Sequence, residues 1–342
     1  MPIVFDQVSY SYDEKREKTR KRGIVARLRS GKRSGDQGEE PREQPAWGST
    51  AQQEWALRNV SFTLGDGEFL GLCGHTGSGK STLIQHMNGL LTPTEGRVIA
   101  NGADLSDKKA AQRCRADIGV VFQYPEHQLF AETVLADVSF GPRNLGLSEE
   151  EATERSFEAL RAVELDADAV ADKSPFELSG GQQRRVARAG VIARRPSVLV
   201  LDEPAAGLDP QARDEMLNLV ARLHREGMAI LMASHNMDDL ARLSDRILVL
   251  NQGSVFMLGT PDEVFSRGDE LRSIGLDAPF AQNVAEALRT RGVALDRELY
   301  DIEGLAAALA KRYRARCHGQ AAEPQAQMRA ADEGRSDGAT HA

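Results

Sequence analysis

The sequence predicts an α/β fold built on a mainly parallel sheet, and three observations carry that prediction. Short apolar runs at Phe69–Cys73, Ile118–Phe122, Val198–Leu201 and Met228–Ala233 read as buried strands, each followed by a loop and a helical pattern. Such alternation places helices on both faces of a parallel sheet. A glycine-rich segment, Gly74-His75-Thr76-Gly77-Ser78-Gly79-Lys80-Ser81, fits G-x-x-x-x-G-K-[ST] at a strand-to-helix junction. The 342 residues, 41% hydrophobic and 27% charged, allow about two domain-sized units with a sizeable core.

The elements follow in order. Ile3–Tyr12 and Ala56–Leu64 alternate apolar and polar residues roughly, as half-buried strands do, and predict a hairpin whose connection is lengthened. That connection, Asp13–Gln53, is expected to be a long mobile loop: it is polar, rich in Gly, Glu, Pro, Gln and Ser, and lacks apolar periodicity. Ser148–Asp172 reads as helical without a neighbouring strand, which predicts a helical subdomain spanning about 124–195 inserted into the sheet. After Gly259, helical patterns recur at Pro261–Arg267, Ala281–Arg291 and Ile302–Arg316. In the last, Ile302, Leu305, Leu309 and Arg312 or Tyr313 form an amphipathic stripe expected to pack on protein. The expected division is therefore 1–258 as the nucleotide-binding domain, 259–317 as a helical extension and 318–342 as a disordered tail.

Composition narrows the function. No apolar run approaches the roughly 20 residues of a membrane helix, and no secretory signal is recognised, so a cytoplasmic chain is expected. Cys73, Cys114 and Cys317 are odd in number and widely spaced, which argues for reduced thiols rather than a disulfide framework or zinc site. The net charge of -8 is uneven: residues 14–33 hold ten basic and two acidic residues, a net of +8, so the remainder carries -16. A chain that coats nucleic acid with its whole surface is excluded by that acidic body.

The chemistry lies in a few motifs. Triphosphate binding needs backbone N–H groups converging on oxygens, hence glycines where side chains would block approach and a helix N-terminus behind them. Gly74 to Thr82 meet that need for ATP, with Lys80 supplying charge to the β- and γ-phosphates and Ser81 a hydroxyl to Mg²⁺. Val198–Leu201 ends in Asp202, placed beside the metal, and Glu203, which can orient a water and take its proton. Ser179, Gly180, Gly181 and Gln182 open a long helical pattern, with Ser179 a natural N-cap and the glycines leaving backbone N–H groups open to a second anion.

In this order, with Ser179 lying 23 positions before Asp202, the chain resembles the ATPase subunits of ABC transporters. The resemblance implies the ABC ATPase version of the P-loop NTPase fold. It also implies Gln123 as the Q-loop residue facing Mg²⁺ and the γ-phosphate, Ala206-Gly207-Leu208-Asp209 as the D-loop and His235 as the switch histidine. Tyr12 matches the aromatic residue that stacks on adenine, with Tyr10 as the alternative. A head-to-tail dimer is implied, with each nucleotide held between one subunit's P-loop and the other's Ser179-type helix end. This chain carries one set of motifs, so a second ATPase chain, identical or related, is needed.

The run Val121-Phe122-Gln123-Tyr124-Pro125-Glu126-His127-Gln128-Leu129-Phe130, followed by Thr133-Val134 and Phe140-Gly141-Pro142, narrows the likeness to the energy-coupling-factor (ECF) transporters, which import vitamins and transition-metal ions. The His75-Thr76-Gly77 form of the P-loop and Pro204–Asp209 are closest to the second of their two related ATPase subunits. The resemblance spans Ile3 to about Arg316 and departs from the family at the basic insertion. It implies a transmembrane T subunit docking near the Q-loop, a substrate-binding S subunit, and a peripheral position on the cytoplasmic face of the membrane. Glu126 to Phe130 are expected to face or support the docking groove. A soluble ABC ATPase acting on nucleic acid or ribosomes is the alternative. It is disfavoured because Gln123 and Ser179 are only 56 positions apart, too few for a long coiled-coil insertion, and because translation factors carry two cassettes. A P-loop kinase or GTPase needs no Ser179-type helix end. For residues 14–33 the readings are a solvated insertion without a dedicated role or contact with anionic lipid headgroups; nucleic-acid binding ranks below both, since interleaved aromatics are missing.

Overall fold

The computed structural model describes residues 1–12, 54–296 and 299–315; the basic insertion and the C-terminal tail lie outside them. The chain divides into two units, one formed by Met1–His235 with Leu243–Thr260, the other by Asn236–Arg242 with the residues from Pro261 onward. Ten strands occur among the described residues, all in the first unit: β1 Ile3–Ser11, β2 Trp55–Leu64, β3 Phe69–Cys73, β4 Glu95–Ala100, β5 Ala103–Asp104, β6 Ile118–Val121, β7 Val198–Asp202, β8 Ala229–Ala233, β9 Arg246–Asn251 and β10 Ser254–Gly259.

They form a six-stranded sheet in the order β10-β9-β3-β8-β7-β6 and a four-stranded sheet in the order β2-β1-β4-β5. In the larger sheet β9, β3, β8, β7 and β6 pair in parallel, with registers such as Leu70↔Leu231 and Val200↔Leu231. These strands read as continuous apolar runs because both faces are covered, and every residue of β3 and β8 is buried. Only β10 is antiparallel, added at the edge through the tight β9–β10 turn. Sequence reading passed over that hairpin. The smaller sheet is antiparallel throughout, and β1 pairs with β2 as expected of an interrupted hairpin. Phe5 and Phe62 stack across it with ring centroids 4.6 Å apart. One apolar core joins the two sheets, drawing on Phe5 and Leu57, on Leu70, Leu72, Val200 and Leu231, and on Leu83 and Met87 of the helix Lys80–Met87. Cys73 and Cys114 are buried in the fold as free thiols.

The inserted helices include Val134–Asn144, Glu149–Ala162 and Gly180–Ile192. The last two begin with reciprocal capping boxes, Ser148 with Glu151 and Ser179 with Gln182, which satisfy the free N–H groups of the first turn. In the second unit, Phe280–Arg289 and the helix over 302–315 share a small core of Ala281, Ala285, Leu299 and Leu305. The stripe expected there is realised only in part. Leu305 is buried and Leu309 packs on the core, but Ile302 and Tyr313 are 66% and 72% exposed, because that core reaches only the middle of the helix. Among the described residues no helix is long and apolar enough to cross a membrane.

Candidate active site

The parallel strands β3, β6, β7 and β8 all point their carboxyl ends the same way, and each hands the chain to a loop carrying one of the motifs. In open α/β sheets this edge is where ligands bind. From β3 the chain enters Gly74–Gly79 and then the helix starting at Lys80. Gly79 has φ +105°, and a Cβ there would come within 2.6 Å of the Ala56 carbonyl oxygen, so only glycine fits. The β9–β10 turn braces this loop from outside. Gly253 N donates to the Ser78 carbonyl at 3.0 Å, and His75 Nε2 lies 3.1 Å from Asn251 Oδ1. Lys80 Nζ donates to the Gly74 and His75 carbonyls at 2.5 and 3.1 Å. Burial lowers its pKa, while the carboxylates of Glu203 and Asp202 pull it back up.

β7 ends in Asp202, whose carboxyl burial raises against the opposing pull of Lys80 and His235. Glu203 follows with φ +50°, a left-handed conformation that costs energy for a side chain other than glycine. Its N–H is held by the Ala233 carbonyl at the end of β8, at 3.0 Å. The carboxylate turns toward the next loop: Oε2 accepts from the His235 backbone N–H at 3.3 Å, and Oε1 lies 3.3 Å from His235 Nε2. Burial raises the Glu203 carboxyl, Asp202 adds to that, and His235 and Lys80 oppose it. A carboxylate so placed is a stronger base than one in water.

A cavity of about 550 Å³ opens over these groups, lined by Tyr12, Ala56, Thr76, Gly77, Gly79, Lys80, Ser81, Thr82, Gln123, Asp202, Glu203 and His235. That volume is in the range of small-molecule sites. At one end Tyr12 is 48% exposed, and its hydroxyl lies 3.2 Å from Thr82 Oγ1. Tyr10 instead is 1% exposed, edge-on to the His86 ring, and belongs to the core. Ala56 and the anchor Asn251 escaped sequence reading, since neither carries a motif.

Not every candidate residue reaches this cavity. Gly74, His75 and Ser78 shape the loop from behind, with Ser78 fully buried. Ser179, Gly180 and Gly181 lie exposed at the start of their helix, where a Cβ on either glycine would meet nothing within 4 Å. Gln182 is half-buried and returns its side chain to Ser179 N at 3.1 Å. Asp209 caps the helix Pro210–Arg225 by accepting from Ala212 N at 2.9 Å. None of these lines the phosphate-loop cavity.

The comparisons with known proteins agree with this fold. Residues 57–206 match the ABC transporter family. The energy-coupling factor transporter ATP-binding protein EcfA2 of Caldanaerobacter subterraneus subsp. tengcongensis is 52% identical over 72% of this chain and 87% of its own length. EcfA2 of Symbiobacterium thermophilum is 55% identical over 74% of this chain and 88% of its own. Among solved structures, CbiO1 of Clostridium perfringens, described as part of the ABC transporter complex CbiONQ, aligns with a TM-score of 0.60 at 31% identity, covering 80% of this chain and 93% of that one. With relatives more than half identical to it and covered over nearly nine-tenths of their length, the chain belongs to the family of energy-coupling factor transporter ATP-binding proteins.

Proposed function

We propose that this chain binds and hydrolyses ATP as one half of an ATPase dimer that energises an ECF-type importer of a vitamin or transition-metal ion. The observation that carries this reading is the convergence of Lys80, Gln123, Asp202, Glu203 and His235 on one cavity, while Ser179–Gln182 present an anion-ready helix end elsewhere on the surface. Half a site faces inward and the complementary half faces out, so two chains complete each other. The second ATPase chain is a related ECF subunit.

Within the site, Thr76, Gly77 and Gly79 give the backbone close access to the triphosphate, and Lys80 leaves its loop carbonyls for phosphate oxygens. The half-exposed Tyr12 ring stacks on adenine. Ser81 hydroxyl, Gln123 side-chain carbonyl and Asp202 carboxylate are hard oxygen donors lining this cavity, a set that suits Mg²⁺. When bound, Mg²⁺ neutralises charge on the β- and γ-phosphates. Glu203 takes the proton of the attacking water, and His235, held against it, fixes the carboxylate's direction. The partner's Ser179-type helix end closes over the γ-phosphate, and Asp209 lies at the same seam.

Coupling is assigned to a second cavity of about 440 Å³ whose lining includes Gln128, Phe130, Phe140 and Arg194. Phe130 and Phe140 are 60% and 49% exposed and meet edge to face at 4.9 Å, an apolar seat suited to a cytoplasmic helix of the T subunit. Leu129, though largely buried, lines it as well, whereas Glu126 supports the groove without lining it. Through the T subunit, closure and reopening would move the S subunit with its cargo, and the chain rests on the cytoplasmic face of the membrane.

Replacing Lys80 tests the reading. Lys80→Ala is expected to weaken ATP binding roughly 100-fold by calorimetric titration, the effect of removing one partner from a desolvated charge contact, with the unliganded chain melting as before. Wild-type affinity in a folded Lys80→Ala chain would remove the nucleotide assignment.

A further inference from the structure

Helix Gly180–Ile192 sends three arginines toward neighbouring segments. Arg188 Nη2 donates to the Pro204 carbonyl at 3.2 Å, and Arg185 Nη2 meets Glu215 Oε2 at 2.6 Å. Arg184 does something the other two do not. Its Nε donates to Glu126 Oε1 at 2.9 Å, while its Nη1 reaches the Ala206 and Gly207 carbonyls at 3.4 and 3.3 Å. One planar guanidinium thus ties its own helix, the one opened by Ser179, to two further segments: the turn Pro125–Gln128 that follows Gln123 and the loop between Glu203 and Asp209. Resting on the functional reading above, we infer that Arg184 is a positioning residue, paired with Glu126, that ties the groove beside the Q-loop to the loop following the catalytic carboxylate.

Burial gives the pair its weight. The Arg184 and Glu126 side chains are 20% and 16% exposed, so solvent screens them little. Burial alone would raise the Glu126 carboxyl, but its own backbone N–H and Arg184 outweigh this and hold it below the usual range. Removing either partner leaves a buried charge uncompensated. The cluster also holds spare capacity, since Glu126 Oε2 and Arg188 Nε are both buried without a protein hydrogen-bond partner among the described residues. A shift of the helix against the turn can therefore change partners within the cluster instead of exposing a charge. Lysine could not substitute, because a single ammonium does not span a carboxylate and two carbonyls as the guanidinium fork does.

The test uses the complex purified with its partner subunits, comparing Glu126→Gln, Arg184→Gln, the double variant, Arg184→Lys and Glu203→Gln. Each single glutamine variant should lower kcat about tenfold with KM for ATP within about twofold, as misplacement of a catalytic loop does. The double variant should be no slower than the slower single, and Arg184→Lys should stay below half of wild-type kcat. Amides of residues 205–209 should exchange at least about threefold faster in Glu126→Gln, a change that a purely local role for Glu126 would not produce. Wild-type kcat in either single variant, losses that multiply in the double, or unchanged exchange at 205–209 would overturn the inference. If Arg184→Gln does not fold, Glu126→Gln and Arg184→Lys carry the same comparison. Turnover by Glu203→Gln would instead sink the functional reading, whereas a dead Glu203→Gln beside a fully active Arg184→Gln would sink only the positioning role.

Discussion

Glu203→Gln should reduce ATP turnover by roughly 100- to 10,000-fold, the usual contribution of a positioned general base, while leaving ATP binding intact. The substitution keeps the side-chain shape and the contact with the His235 backbone N–H, since an amide oxygen also accepts. What it removes is the capacity to take a proton. The pH dependence follows from the same burial. The Glu203 carboxyl is raised above the ordinary glutamate range, and it acts as a base only when ionised, so turnover is lost as pH falls through that raised value. The acid limb of kcat should accordingly lie at higher pH than a surface glutamate would give, and it should vanish from any residual turnover of Glu203→Gln. Near-normal kcat in the variant, measured with saturating ATP, would assign the base elsewhere.

Ser179→Arg should separate binding from turnover in the opposite sense to Lys80→Ala. Ser179 is exposed at a helix start and does not line the cavity over Lys80, so calorimetric ATP affinity of the chain alone should stay within about twofold. Loss of the N-cap costs about 1 kcal/mol of stability. In the assembled complex a bulky side chain at this helix end would hold the partner's γ-phosphate away, and kcat should fall at least about 100-fold, in line with loss of a preorganised oxyanion donor. Unchanged turnover would mean that no nucleotide meets this end of the helix.

The contrast between these two variants also marks what the sequence made legible. The phosphate loop, Asp202, Glu203 and Gln123 could be placed in advance because each follows an apolar run, and the ends of parallel strands lie together by geometry. The helix end at Ser179 was legible for a different reason: its serine and glutamine form a capping box whose spacing is local. Long-range contacts were not. Asn251 behind His75, Ala56 beside Gly79 and Arg184 against Ala206 and Gly207 join residues far apart in the chain, with no periodicity or motif to announce them. Sequence favoured Tyr12 over Tyr10 but left both open, for a related reason. By alternation both would share one face of a strand running to Tyr12, but β1 ends at Ser11, and where the strand ends decides which ring is exposed. The stripe on the last helix shows the converse error, since spacing predicts a face but not how far the packing partner extends.

The proposed function makes this chain half of a composite ATPase attached to a membrane subunit. It is tested most directly by isolating the tagged full-length chain from detergent-solubilised membranes and measuring subunit stoichiometry and ATP turnover on the same fraction. The expected fraction holds one copy of the chain with one related ATPase chain and a polytopic membrane protein, and its turnover disappears when the two ATPase chains are separated. A single free chain that hydrolyses ATP at the full rate of the complex would contradict it.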